Sequence, residues 1–91
     1  MKQPTTQTEE VLFTLITERS INKRTMFIDC GISHLGELVR RLRHINGVVI
    51  NTDMAKTVNK YKRTIKYAKY SIDKKHKESA IKKYELMTKN R

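Results

Sequence analysis

The sequence predicts a small α+β domain that is mainly helical, with three short helices, a two-stranded hairpin and a last basic helix. The helices are predicted by apolar residues that recur at helical spacing in residues 11–16 and 35–42. The hairpin is predicted by β-branched and aromatic residues that alternate with polar and basic ones near residues 62–67. The chain has 91 residues, of which 37% are apolar, so we expect one compact core.

The first helix is predicted to run from Thr8 to about Arg19, after a flexible polar arm at residues 1–7. One face of this helix carries four apolar side chains at the spacing of a core-facing surface, namely Val11, Leu12, Leu15 and Ile16. We expect Thr8 to be the N-cap, because threonine hydroxyls accept hydrogen bonds from the first free N–H groups. The glutamates that follow suit the positive end of the helix dipole.

A second, shorter helix is predicted over residues 23–30. Asn22 is the expected N-cap, and Gly31 is the expected left-handed residue that ends the helix. Its inward face is predicted to consist of Met26, Phe27 and Cys30.

The third helix is predicted to begin at Ser33 as N-cap and to be strongly amphipathic. At 100° per residue its apolar arc contains Leu35, Leu38, Val39 and Leu42, with Ile45 at the edge. The opposite stripe carries Ser33, Glu37, Arg40 and His44, flanked by Gly36, Arg41 and Arg43. We therefore expect this helix to present a basic, polar face to its surroundings.

The hairpin is predicted to follow a turn at Asn46-Gly47. A first strand is expected to begin at residues 48–50 and a second at residues 63–72, with residues 56–62 as a projecting tip. Residues 73–91 form a last basic segment with Asp73 as its expected cap. Its narrow apolar stripe of Ile81, Tyr84 and Met87 suits self-association into a homodimer, or packing on the domain, while its lysines suit contact with a polyanion.

Charge is the dominant global property of the chain. Twenty Lys and Arg oppose nine Asp and Glu, which gives a formal net charge of +11 and a pI near 10.1. The basic residues concentrate in the later part: residues 56–77 hold nine bases and one acid, a net charge of +8. Such a field attracts polyanions, and nucleic acid is the expected partner.

Several classes of function are disfavoured by what the sequence contains. Cys30 is the single cysteine, which fits a reducing cytoplasm, and no apolar run reaches the ~20 residues of a membrane span. The spacing of Cys30, His34 and His44 matches no zinc site. The three scattered glycines form no phosphate-binding loop, and no catalytic constellation is evident. We expect no enzymatic activity, cofactor, metal, membrane association or small-molecule substrate.

Residues 8–72 resemble a winged helix-turn-helix DNA-binding domain, and more narrowly the small helix-turn-helix proteins of phages and mobile elements. The likeness lies in Gly31-Ile32-Ser33-x-Leu35, in "LVRRLR" at residues 38–43, in Gly47 and Ile50, and in "YAKYSI" at residues 67–72. Four residues separate Leu42 from Gly47, where this group would have three. Residues 73–91 fall outside the resemblance.

The resemblance implies that the third helix enters the major groove of double-stranded DNA and that the hairpin is the wing. Base readout is expected from Ser33, His34, Gly36, Glu37, Arg40 and Arg41, with Arg40 suited to a bidentate contact with guanine. Glu37 would accept from cytosine or orient a neighbouring arginine, and Gly36 would permit close approach to DNA or to the second helix. Backbone contacts are expected from Arg43, His44, Lys56, Lys60, Tyr61, Lys62, Arg63 and Lys66.

The expected function is sequence-specific binding of duplex DNA as a transcriptional regulator, a repressor, in a bacterial or phage-infected cytoplasm. An architectural factor for excision, partition or replication would use the same parts. Two further alternatives stay open: an RNA-binding protein that stacks bases on Tyr61, Tyr67 or Tyr70, and a protein-interaction module that blocks an acidic host factor.

Overall fold

The structure, a computed structural model, describes residues 1–90. Within this range the chain forms four helices and one three-stranded antiparallel sheet with the strand order β1-β3-β2. The α+β class predicted from the sequence is therefore confirmed. In chain order the elements are α1 (Gln7–Thr17), β1 (Ile21–Asn22), α2 (Lys23–Cys30), α3 (Leu35–His44), β2 (Asn51–Val58), β3 (Thr64–Ser71) and α4 (Lys74–Met87).

The core lies where α1 packs against both α3 and α4. The four apolar residues predicted for α1 are buried there, as are the four predicted for α3. Tyr84 of α4 is fully buried, and its ring lies 5.6 Å from that of Phe13. Across residues 1–90, no helix combines the length and apolar character needed to cross a membrane.

The start of α1 differs from the prediction by two residues. Thr6, not Thr8, is the N-cap, and its hydroxyl accepts from the Glu9 N–H at 3.2 Å. The Glu9 carboxylate accepts in return from the Thr5 N–H at 3.0 Å. This reciprocal arrangement satisfies orphan donors at the helix end, and it holds the buried Glu9 in place.

Helix α2 has the predicted ends but a different inward face. Asn22 and Thr25 form a capping box, and Gly31 has the left-handed φ of 70°. Met26 is buried and Cys30 packs against the core, whereas Phe27 is 58% exposed, so its predicted inward position is wrong. The two-residue strand β1, which pairs Ile21 with Tyr70, was not predicted because two residues are too short for a periodic signal.

Helix α3 begins two residues after the predicted cap. His34 occupies the N-cap position without a side-chain capping hydrogen bond, so the prediction for Ser33 is wrong. The buried face of Leu35, Leu38, Val39 and Leu42 is confirmed. Ile45 is 76% exposed, so it does not extend this face into the core.

The hairpin begins later than predicted and has a shorter tip. Gly47 makes the predicted turn with φ 67°, but residues 48–50 form a connector with buried Val48 and Ile50 rather than a strand. The ladder runs from Asn51↔Ser71 to Val58↔Thr64, so residues 56–58 belong to β2. The tip is confined to residues 59–63, where the Asn59 side-chain oxygen accepts from the N–H groups of Tyr61 and Arg63.

Helix α4 packs on its own chain and orders the first residues of the protein. Its predicted self-association stripe faces inward: Tyr84 is buried, and Ile81 and Met87 pack against the core. Packing on the domain is therefore observed for this stripe, with Ile81 and Met87 only partly buried, and self-association stays a prediction. The polar arm lies against this helix, because the Tyr84 hydroxyl donates to the Lys2 carbonyl at 2.6 Å.

The cap of α4 also differs from the prediction. Asp73 occupies the N-cap position, but its side chain makes no capping hydrogen bond. Its carboxylate accepts instead from the side-chain amide of Asn51. The first residue of β2 is thereby joined to the start of α4.

Candidate nucleic-acid interface

The exposed face of α3 carries a three-residue charge cluster. The Arg40 guanidinium donates to both carboxylate oxygens of Glu37, at 2.7 and 3.2 Å, and Arg41 lies 3.5 Å from the same carboxylate. The side chains of Arg40, Arg41 and Glu37 are 62%, 55% and 41% exposed. Hydrogen bonding and the positive charge of Arg40 lower the pKa of Glu37, while the pKa of Arg40 is raised by the same pair.

The ion pair between Arg40 and Glu37 limits which atoms of Arg40 are free to contact a base. Glu37 occupies the Nε and Nη2 edge of the Arg40 guanidinium in the free protein, which is one of the two edges that can form a bidentate contact with guanine. An exposed ion pair contributes little to stability because water screens it. The guanidinium can therefore exchange Glu37 for another acceptor at small cost, and meanwhile Glu37 restricts its orientation.

The first turn of α3 is open on its outer side. Ser33, His34 and Gly36 are all exposed. A Cβ atom at Gly36 would lie 3.9 Å from the Tyr70 hydroxyl, an ordinary contact distance. The element nearest to this Cβ position is thus β3 and not α2. Close packing against α2 is therefore not the reason for a glycine at position 36.

Arg43 does not project from α3 as the other arginines do. Its guanidinium donates to the Ile50 carbonyl at 2.6 and 3.2 Å and to the Thr52 hydroxyl at 2.6 Å. It also lies 5.9 Å from the centroid of the Tyr70 ring. The residue expected to contact the DNA backbone is therefore engaged within the chain, where it joins α3 to the start of β2. His44, one residue further, is exposed.

The hairpin carries a set of cationic side chains without internal acceptors. These side chains are those of Lys56, Lys60, Lys62, Arg63 and Lys66. Among residues 1–90 none of them has a hydrogen bond or an ion pair. Lys56 and Lys66 are direct cross-strand partners, an arrangement that is destabilising for like charges. At the tip, Tyr61 is 78% exposed, with the Lys60 ammonium 5.1 Å from its ring centroid.

Two lysines of α4 donate hydrogen bonds to backbone carbonyls in other parts of the fold, and these contacts were not predicted from the sequence. Lys77 donates to the carbonyls of Leu15 and Ile16 at 3.0 and 2.8 Å, and thereby caps the end of α1. Lys83 donates to the Gly47 carbonyl at 2.6 Å. Nothing in a local sequence pattern indicates contacts between residues so far apart in the chain.

The residues considered for a zinc site, Cys30, His34 and His44, do not form a metal-binding group in the described part of the chain. Within the described range no group of three His, Cys, Asp or Glu side chains could hold a metal ion. Partial burial raises the pKa of the Cys30 thiol, as do the nearby charges of Glu10 and Asp29. These effects favour the protonated thiol over the nucleophilic thiolate.

Comparisons with known proteins give no identification. No protein-family model matches the chain, and no curated protein matches it.

Proposed function

We propose that this chain is a winged helix-turn-helix protein that binds double-stranded DNA sequence-specifically and represses transcription for a phage or mobile element. The observation that carries the proposal is the construction of α3. Its apolar side is buried on the core, while Glu37, Arg40 and Arg41 are exposed beside a hairpin of unpaired cations.

The dimensions of α3 support a position in the major groove. An α-helix with its side chains is about 10–12 Å across, and the groove is about 12 Å wide and admits one α-helix. In the proposed complex the open first turn, with Ser33, His34 and Gly36, faces the base edges. Arg40 contacts guanine, and Glu37 either orients it or accepts from cytosine.

The hairpin supports contact with the DNA backbone. Lysines and arginines that lack internal partners are free to neutralise phosphates, and each neutralised phosphate releases counterions. These contacts position the protein without reading sequence. We assign this role to Lys56, Lys60, Lys62, Arg63 and Lys66, with Tyr61 at the tip.

Repression requires only that the complex occupies a promoter. A protein bound across a promoter excludes other proteins from the same surface, so the DNA contacts suffice. The proposal therefore assigns no catalytic step, metal or cofactor to the chain.

A competition measurement tests the proposal. A labelled duplex bound to the full chain is displaced with unlabelled duplex DNA, with single-stranded DNA of the same sequence, or with RNA. We expect duplex DNA to compete best and the affinity to fall steeply with salt. Better competition by RNA would replace the proposal with RNA binding. Uniformly weak binding that salt removes would replace it with a protein-interaction role.

A further inference from the structure

An open cleft of about 420 Å³ lies between the start of α3 and the middle of β3. Its lining includes Leu35 and Gly36 from α3, Ala68 and Tyr70 from β3, and the exposed lysines Lys23 and Lys66. The volume lies within the range of about 300–1,000 Å³ that is usual for ligand sites. The cleft is thus large enough to admit part of another molecule.

The cleft is lined by positive charge that nothing in the described residues neutralises. Neither Lys23 nor Lys66 has an ion pair or side-chain hydrogen bond within residues 1–90. Lys56 is the direct cross-strand partner of Lys66, which adds a like charge to the same face of the hairpin. Glu37 also lines the cleft, but its carboxylate is paired with Arg40. An anion in the cleft would relieve the repulsion between these lysines.

The Tyr70 hydroxyl is a hydrogen-bond donor placed in the same cleft. It lies 3.9 Å from the position that a Cβ atom of residue 36 would occupy, and within the described range it has no hydrogen-bond partner. The Tyr70 ring lies against the Arg43 guanidinium, which is itself bonded to the Ile50 carbonyl. The hydroxyl is therefore held in position but left unused.

We propose that this cleft binds one backbone phosphate of the DNA strand that passes between α3 and the hairpin, an inference that rests on the DNA binding proposed above. Lys66 and Lys23 neutralise the phosphate, and the Tyr70 hydroxyl donates to a non-bridging oxygen. The absence of a side chain at Gly36 leaves room for the strand. The contact fixes the position of α3 along the DNA.

A pair of matched lysine variants tests the charge contact. Lys66→Gln and Lys69→Gln remove the same charge from β3, but positions three apart in a strand lie on opposite faces, and Lys69 lies opposite Asp53 in the strand register. For Lys66→Gln we expect an affinity loss on the order of tenfold. We also expect the salt slope, which is the slope of the logarithm of affinity against the logarithm of salt concentration, to become smaller by about 0.9. For Lys69→Gln we expect a smaller affinity loss and an unchanged slope. Equal effects of the two substitutions would overturn the proposal.

Tyr70→Phe tests the hydroxyl without removing the ring beneath Arg43. We expect weaker duplex binding, an unchanged salt slope and an unchanged thermal unfolding midpoint.

Phosphate-ethylation interference locates the contact on the DNA. Lys66→Gln and Tyr70→Phe are expected to abolish interference at the same single phosphate. Interference that persists there in both variants would contradict the assignment.

Two further measurements separate the sources of failure. Wild-type protein that binds no duplex would refute the proposed function, whereas wild-type binding with no effect of Lys66→Gln would refute the cleft assignment alone. Inorganic phosphate at millimolar concentration is added separately while the amide signals of Gly36 and Ala68 are followed by NMR. Saturable shifts, combined with unaffected duplex binding by Lys66→Gln, would identify a small-anion site and overturn the DNA-strand proposal.

Discussion

The arginines of α3 have different partners although they lie within four residues of one another. Arg40 and Arg41 share the Glu37 carboxylate on the exposed face. Arg43 instead reaches the Ile50 carbonyl and the Thr52 hydroxyl. Helical spacing predicts which side of α3 each residue occupies, and the inward role of Arg43 depends on where β2 begins.

Arg40→Ala is expected to weaken binding to the preferred DNA site by about 1–3 kcal/mol and to relax preference at one base position. The reason is the loss of a bidentate contact to a base. Lys60→Ala, which removes a proposed phosphate contact, is expected to weaken all duplexes alike. Affinities measured on the preferred site and on a random duplex test the difference, and equal losses in both variants on both duplexes would contradict these roles.

Arg43→Gln is expected to lower the free energy of unfolding by about 1.5–3 kcal/mol, because charged hydrogen bonds to the Ile50 carbonyl, which is partly buried, and to the exposed Thr52 hydroxyl are lost. Duplex affinity is expected to fall as well, since the hairpin loses its link to α3. The salt slope is expected to stay unchanged because no phosphate contact is removed. A slope smaller by about 0.9 would instead assign Arg43 to a phosphate.

Gly36→Ala is expected to raise stability and to weaken DNA binding. Alanine favours the helix by up to ~1 kcal/mol, and its Cβ meets only the Tyr70 hydroxyl at 3.9 Å. The same methyl group would occupy space at the proposed DNA interface. Thermal unfolding and duplex titration measure the two effects, and increased stability with undiminished affinity would contradict close approach of DNA at this residue.

At the scale of elements, α4 is part of the core rather than an appendage. Ala80 and Tyr84 are buried, and Lys77 caps the carbonyl end of α1. Some of the positive charge of this helix is therefore used to hold the fold together. The remaining exposed lysines, among them Lys82, have no such partner in the described residues.

Lys77→Met is expected to lower the free energy of unfolding by about 1.5–3 kcal/mol, because backbone carbonyls of α1 lose a charged donor. Lys82→Met is the matched control on the same helix, and its effect is expected to stay within about 0.5 kcal/mol. Denaturant unfolding measures both variants. Indistinguishable effects of the two substitutions would show that the contacts of Lys77 do not stabilise α1.

The sequence predicts the helices better than the sheet, for physical reasons. The buried faces of α1 and α3 follow from local periodicity, and the end of α2 at Gly31 follows from its left-handed backbone. The apolar run at residues 48–50 suggests a strand, but burial of Val48 and Ile50 does not require cross-strand pairing. The ladder instead occupies the more polar residues 51–58, where pairing with β3 decides the structure.

The candidate site is predictable in its exposed part only. The outward positions of Glu37, Arg40 and Arg41 follow from helical spacing. The partners of Arg43 and the cleft beside Tyr70 depend on how α3 lies against β3, which a local pattern does not contain.

At the scale of the whole molecule, the proposed binding of DNA depends on where the chain carries its net charge of +11. The cations of the hairpin and of the α3 face lie on adjoining elements, joined by Arg43. Charge alone brings a polyanion to the surface, whereas sequence preference requires base contacts from α3. We propose that the molecule has both properties.

Selection from a random duplex library at physiological salt, with excess non-specific competitor, tests this claim most directly. We expect recovery of a short motif, and we expect Arg40→Ala to lose the preference at one position of that motif. Recovery of no motif, with DNA binding that salt removes, would contradict it, because α3 would then be only a charged face and the architectural and host-factor alternatives would take its place.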